Sequence, residues 1–190
     1  MRSWFKWGLP LAVVVLLGAA GGGVLLAENV YPRTLTQQNS QASQLAGWVK
    51  SPIGVVYTPD AAASPDLPGV RSLLDSHFSS INERNYDRWK STVVPEKWQE
   101  LPKDKWFDNY GTTRDFGWTV HRIDQGADGS LLVMLTFMSE QALEDAPPQL
   151  QATCVAWNVV YPLVLDDAGR SFRLDTSKLP NSALLDYCNQ

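Results

Sequence analysis

The side chains in this 190-residue chain best suited to chemistry are two cysteines, two histidines and a band of aromatic residues. Cys154 lies inside a strand-like run and Cys188 lies close to the C-terminus. Two thiols with no third pair as one disulfide if the compartment is oxidising. The competing reading leaves Cys154 buried and reduced and Cys188 exposed. Neither cysteine has a sequence signature that pairs it with a base, so no catalytic thiol is expected. His77 falls on the apolar face of a predicted helix, where a histidine is more often a core residue than a base. His121 falls on the outward face of a predicted strand. The two are not at metal-ligand spacing and no carboxylate cluster accompanies them, so neither a metal nor a cofactor is expected. Tyr86, Trp89, Trp98, Trp106, Phe107, Tyr110, Phe116 and Trp118 crowd one stretch. They read in three ways: as core, as a protein-docking surface, or as the lining of an apolar ligand site.

The compartment comes from the other end of the chain. Leu9 to Ala27 (LPLAVVVLLGAAGGGVLLA) carries no charge. As a helix it would be about 28 Å long, close to the hydrocarbon thickness of a bilayer. Arg2 and Lys6 precede it, which favours a cytoplasmic N-terminus over residues 1–8 and a single-pass anchor over 9–27. A cleaved signal peptide is the alternative, leaving a secreted protein. Cleavage after Ala27 would put bulky Leu25 at the −3 position, and cleavage after Ala20 would leave GGGVLL on the mature end. Either way the remainder lies outside the cytoplasm. The formal net charge of −4 argues against a nucleic-acid partner.

Residues 28–66 read as a flexible linker, rich in Gln, Ser, Ala and Pro, which cannot bury enough apolar surface to offset its ordering entropy. Within it, Gln44 to Tyr57 has enough apolar residues either to dock on the domain or to lie near the membrane. The domain itself is expected over 67–190. Asp66 is a plausible N-cap, and Val70, Leu73, Leu74, His77, Phe78 and Ile81 share one helical face. A shorter helical stretch is predicted at Pro95–Leu101, with another turn at Asp104–Asn109. From Thr112 the period becomes two: Phe116, Trp118 and Val120 point inward. Leu131–Ser139, Ala152–Leu165 and Ser171–Leu174 complete a four-stranded antiparallel meander. Helices ahead of strands give an α+β class.

The opening helix with its NYDRW ending, the strand pair around LLVMLTFMS and the closing CVAWNVVYPLVLDDAGRSFRLD resemble the NTF2-like (cystatin-like) superfamily. A single anchor ahead of such a domain looks like actinobacterial Mce-associated envelope proteins and like VirB8/TcpC-type conjugation subunits. The resemblance implies a cone in which a long helix packs on a curved antiparallel sheet, with a pocket between them and the short helices at its mouth. It implies no single activity. An isomerase of this fold would need a carboxylate base and an oxyanion donor. Asp75, Asp87 or Asp115 with Tyr86 or Tyr110 are the candidates, and no motif places any of them. Acids beside Arg84, Arg88 and Arg114 read more simply as surface pairs. No catalytic residue is therefore assigned. The expected function is a non-catalytic binding or scaffold module, anchored in the cytoplasmic membrane through 9–27, that meets an envelope protein partner. That expectation needs Trp89, Trp98 and Trp106 exposed. The alternative, a small apolar-ligand carrier or an NTF2-like enzyme, needs a pocket holding a buried carboxylate or histidine. His77, Tyr86, Trp89, Trp98, Trp106, Tyr110 and Trp118 are the candidate pocket or interface residues.

Overall fold

The apolar face of the longest helix organises the domain. In the computed structural model, which describes residues 47–126 and 128–188, the helices are α1 (Pro59–Ala62), α2 (Leu67–Asn82), α3 (Tyr86–Thr92), α4 (Pro95–Glu100) and α5 (Lys103–Tyr110). The strands are β1 (Val49–Lys50), β2 (Val56–Tyr57), β3 (Arg114–Gln125), β4 (Leu131–Glu140), β5 (Cys154–Leu165), β6 (Phe172–Leu174) and β7 (Leu184–Tyr187). Val70, Leu73, Leu74, His77, Phe78 and Ile81 of α2 are all buried, as their spacing requires. Asp66 occupies the N-cap position, but its side chain accepts from Gln125 Nε2 instead of capping. The helix stops where Arg84 enters the left-handed region (φ 55°) and its guanidinium donates to the Asn82 and Gly111 carbonyls. Asn85 then caps α3 by accepting from Arg88 N–H at 3.0 Å, so NYDRW, expected to end the opening helix, instead starts a separate one.

The sheet runs β1-β2-β3-β4-β5-β6, with β7 also paired to β5. Its centre is the β3–β4–β5 antiparallel meander. Leu131, Val133, Leu135, Phe137 and Ser139 of β4 alternate inward and are buried. With α2 and the inward residues of β3 and β5 they form the core. Two register shifts interrupt β3, between Phe116 and Thr119 and between Val120 and Arg122. Gly117 takes φ 66°, and a Cβ there would lie 2.8 Å from Met138 Cε. Such bulges bend a strand, and the sheet is curved and unclosed.

The α+β class holds, but the sheet is larger than the expected four strands. Residues 47–66, read as the end of a linker, belong to the domain. Val55 and Tyr57 are fully buried, and β2 pairs in parallel with β3 through Val56–Thr119 and Tyr57–Val120. The Pro- and Ala-rich composition conceals two local signals. Ser51 and Gly54 make a tight turn, with Gly54 at φ 102°. Thr58 caps α1 with Pro59 in the first turn. At the other end β7 pairs with β5 from Val155–Tyr187 to Asn158–Leu184, and Cys154 is disulfide-bonded to Cys188 with the Cα atoms 5.6 Å apart. The expected cytoplasmic segment 1–8, the anchor 9–27 and the linker over 28–46 lie outside the described residues. Among the described residues no helix is long and apolar enough to cross a membrane.

Candidate functional site

A cavity of about 540 Å³ opens between the C-terminal half of α2, the end of α5, and the β3–β4–β5 surface. Its volume is in the range of small-molecule sites. Apolar and aromatic walls come from Ile81, Phe137, Trp157, Val159 and Tyr161, and Phe137 stacks on Trp157 at 5.9 Å between ring centres. Into this lining project three groups able to exchange or share a proton: Asp115, His77 and the Tyr110–Tyr161 pair.

Asp115 reaches the cavity because of the sheet register. It pairs with Ser139 across β3 and β4, and both side chains are buried. Ser139 Oγ donates to Asp115 Oδ1 at 2.6 Å. Asn82, the last residue of α2, clamps the Asp115 backbone from both sides: its Nδ2 donates to the carbonyl at 2.9 Å, and its Oδ1 accepts from the N–H at 2.8 Å. The second carboxylate oxygen has no hydrogen-bond partner among the described residues. Burial raises the Asp115 pKa from the ordinary 3.8 to about 6, and the Ser139 hydrogen bond opposes the rise only in part. Burial pushes Tyr110 up to about 12, with the Asp115 charge adding to it. Burial raises Tyr161 well above the ordinary phenol value, with Tyr110 and Asp115 adding to the rise. Both phenols are therefore hydrogen-bond donors, not bases, at neutral pH.

His77 is neutral. Its Nδ1 lies 2.8 Å from Thr92 Oγ1, and that hydroxyl already donates to the Trp89 carbonyl. Thr92 therefore accepts the Nδ1 proton, which leaves Nε2 as an acceptor. Burial lowers the His77 pKa to about 4. His77, Tyr110 and Tyr161 also border a second cavity of about 340 Å³ beside Trp89 and Leu101.

The rim is held by α5 and by the short helical turn Leu143–Asp145. Thr112 ties the two together, with its N–H and hydroxyl donating to Asp145 Oδ2 while its hydroxyl accepts from Ala142 N–H. Exposed Asp108 and Glu144 stand at this rim. Ala183, just ahead of β7, also contributes to the lining, so the disulfide-tied tail helps to close the cavity.

Of the residues singled out from the sequence, only His77, Tyr110 and Asp115 line the main cavity. Tyr86, Trp89, Trp106 and Tyr110 form an aromatic cluster with ring centres 5.5 to 6.0 Å apart. Trp106 and Trp89 are buried core, which removes them from any docking surface. Trp98 is half-buried, donates to the Lys90 carbonyl at 2.9 Å and sits 4.9 Å beneath the Lys90 ammonium. Trp118 is buried against Phe78. Asp87 lies in the first turn of α3, and Asp75, away from the cavity, leaves one buried oxygen without a partner among the described residues. His121 faces outward, hydrogen-bonded to Thr136 at 2.9 Å. Sequence reasoning missed Ser139, Phe137, Trp157 and Tyr161. The regular alternation of LLVMLTFMS does predict that Phe137 and Ser139 share the inner face.

Compared with known proteins, the chain matches no family model, no curated protein and no solved structure.

Proposed function

We propose that this domain is a small-ligand-binding module of NTF2-like type, carried outside the cytoplasmic membrane by the 9–27 segment. The observation that carries the reading is the cavity of about 540 Å³ whose aromatic walls converge on the buried carboxyl of Asp115. An empty core cavity is usually small and wholly apolar, whereas a binding site combines apolar walls with a few fixed polar groups. The Cys154–Cys188 bond supports the exported placement, because structural disulfides belong to oxidising compartments. A scaffold that docks through exposed tryptophans is less well supported, since Trp89 and Trp106 are core. An envelope protein partner, in this reading, receives or supplies the ligand.

Ligand-observed NMR on the full chain with phenethyl alcohol, a neutral aromatic probe, tests the reading. Binding is expected, and Ala146→Trp, which places a large ring in the cavity lining from a loop, is expected to abolish it while the circular dichroism spectrum stays native. Equal binding to the variant, or none to the parent, would sink the pocket.

One observation favours a second reading, proton transfer. Asp115, with its pKa brought to about 6, has the properties of a general base, and Tyr110 can donate to a developing oxyanion. Solvent-deuterium exchange into a ketone with acidic α-hydrogens, lost in Asp115→Asn, is the expected signature.

A further inference from the structure

We propose that the cavity selects an organic cation, a protonated amine on a compact apolar body, with Asp115 as its counter-ion. This inference rests on the pocket reading above and names its ligand class. Four of the lining residues are acids (Asp108, Asp115, Glu144 and Asp145) and none is lysine or arginine. His77 supplies no positive charge either, because it is buried in the neutral form. An anionic ligand would therefore meet only like charge. A neutral ligand would leave the carboxylate of Asp115 buried with a single hydrogen bond, and an uncompensated buried charge is costly.

An ammonium group removes that cost. Asp115 is 4% exposed, and its second oxygen is free among the described residues, so it can accept a charge-assisted hydrogen bond. Tyr110, Tyr161, Phe137 and Trp157 in the lining supply the aromatic surroundings that cations prefer. Asp145 is already engaged by Thr112, which leaves exposed Asp108 and Glu144 to attract the cation to the rim. A metal ion is a poorer occupant. Among the described residues no group of three or more His, Cys, Asp or Glu side chains converges as ligands.

The test titrates the full chain by calorimetry with phenethylamine, phenethyl alcohol and hydrocinnamate, which share one aromatic body and differ in charge. The amine is expected to bind roughly tenfold or more tighter than the alcohol, and hydrocinnamate more weakly than either. Asp115→Asn is expected to remove the amine's advantage over the alcohol. Should that variant fail to fold, Asp108→Asn with Glu144→Gln, both exposed, is expected to weaken amine binding about two- to threefold, the more so at low salt. If the alcohol or the carboxylate binds as well as the amine, the cation inference is overturned and the pocket stands. If none of the three binds, both readings fall.

Discussion

The two ends of α2 rest on different kinds of ground. Its N-terminal half, with Val70, Leu73 and Leu74, belongs to the buried hydrophobic core with Val55, Tyr57, Val120 and Leu135. Its C-terminal half, from His77 to Asn82, stands over the cavity and meets His77–Thr92, Asn82–Asp115 and Asp115–Ser139 hydrogen bonds. One end is held by buried hydrocarbon; the other adds to buried Phe78 and Ile81 the polar ties, a rim clamped through Thr112, and a tail bonded at Cys154–Cys188. A domain of this size needs a closed core for its stability. Among the described residues, buried polar atoms without a partner occur at both ends, Tyr57 Oη and Asp75 Oδ1 at the closed end and Trp157 Nε1 in the cavity lining, but the buried carboxyl of Asp115 stands at the cavity end.

The largest expected effect comes from breaking the open end's covalent tie. Replacing both cysteines by alanine closes no loop of 34 residues in the unfolded chain and should cost about 4 kcal/mol in the chain-entropy model. Urea melts of the oxidised parent and the double variant measure it. Probe binding should weaken as well, because Ala183 lines the cavity just ahead of β7.

Leu74→Ala strikes the closed end and should cost about 3 kcal/mol. Phenethyl alcohol affinity measured at a temperature where the variant remains folded should not change. Loss of binding there would show that the two ends are not separable.

The smallest effect is the most diagnostic, because it is a cancellation. Asp115 has a folded pKa of about 6, above its ordinary 3.8, so its contribution to stability is full below the unfolded value and lost as pH rises towards 6. His77 has a folded pKa of about 4, below its ordinary 6.5, so its contribution is full above 6.5 and lost as pH falls towards 4. Between pH 4 and 6.5 the two slopes oppose each other and the parent's stability should be nearly level. Asp115→Asn should expose the histidine slope, losing on the order of 2–3 kcal/mol from pH 6.5 to 4. His77→Gln should show the opposite slope of similar size. Chemical denaturation at several pH values checks both, and parallel curves for the two variants would remove the comparison.

Legibility followed the same division. The closed end could be read directly: α2 has its apolar stripe, β4 its alternation, and both hold in the structure. The chemistry at the open end was only half visible. Asp115 and Tyr110 stood among several acid–tyrosine candidates, and nothing local distinguished Asp115 from Asp75 or Asp87. Regular alternation through Phe116, Trp118 and Val120 would turn Asp115 outward. The register shift at Gly117 resets the phase, so that Asp115, Trp118 and Val120 are the buried positions. The tail was legible in its disulfide but not in its strand, since LLDY becomes β7 only by pairing with the free edge of β5.

What the sequence determined by itself is therefore whatever depends on neighbours along the chain. That covers the helical stripe of α2, the two-residue period of the meander, the α+β order and the two thiols available to pair. What only the tertiary structure decided is whatever depends on neighbours across it. The inclusion of residues 47–66, the burial of Trp89 and Trp106, and the inward turn of Asp115 are of this kind. Periodicity and capping act over a few residues. Burial and register are set by a strand's partners, and those lie tens of residues away.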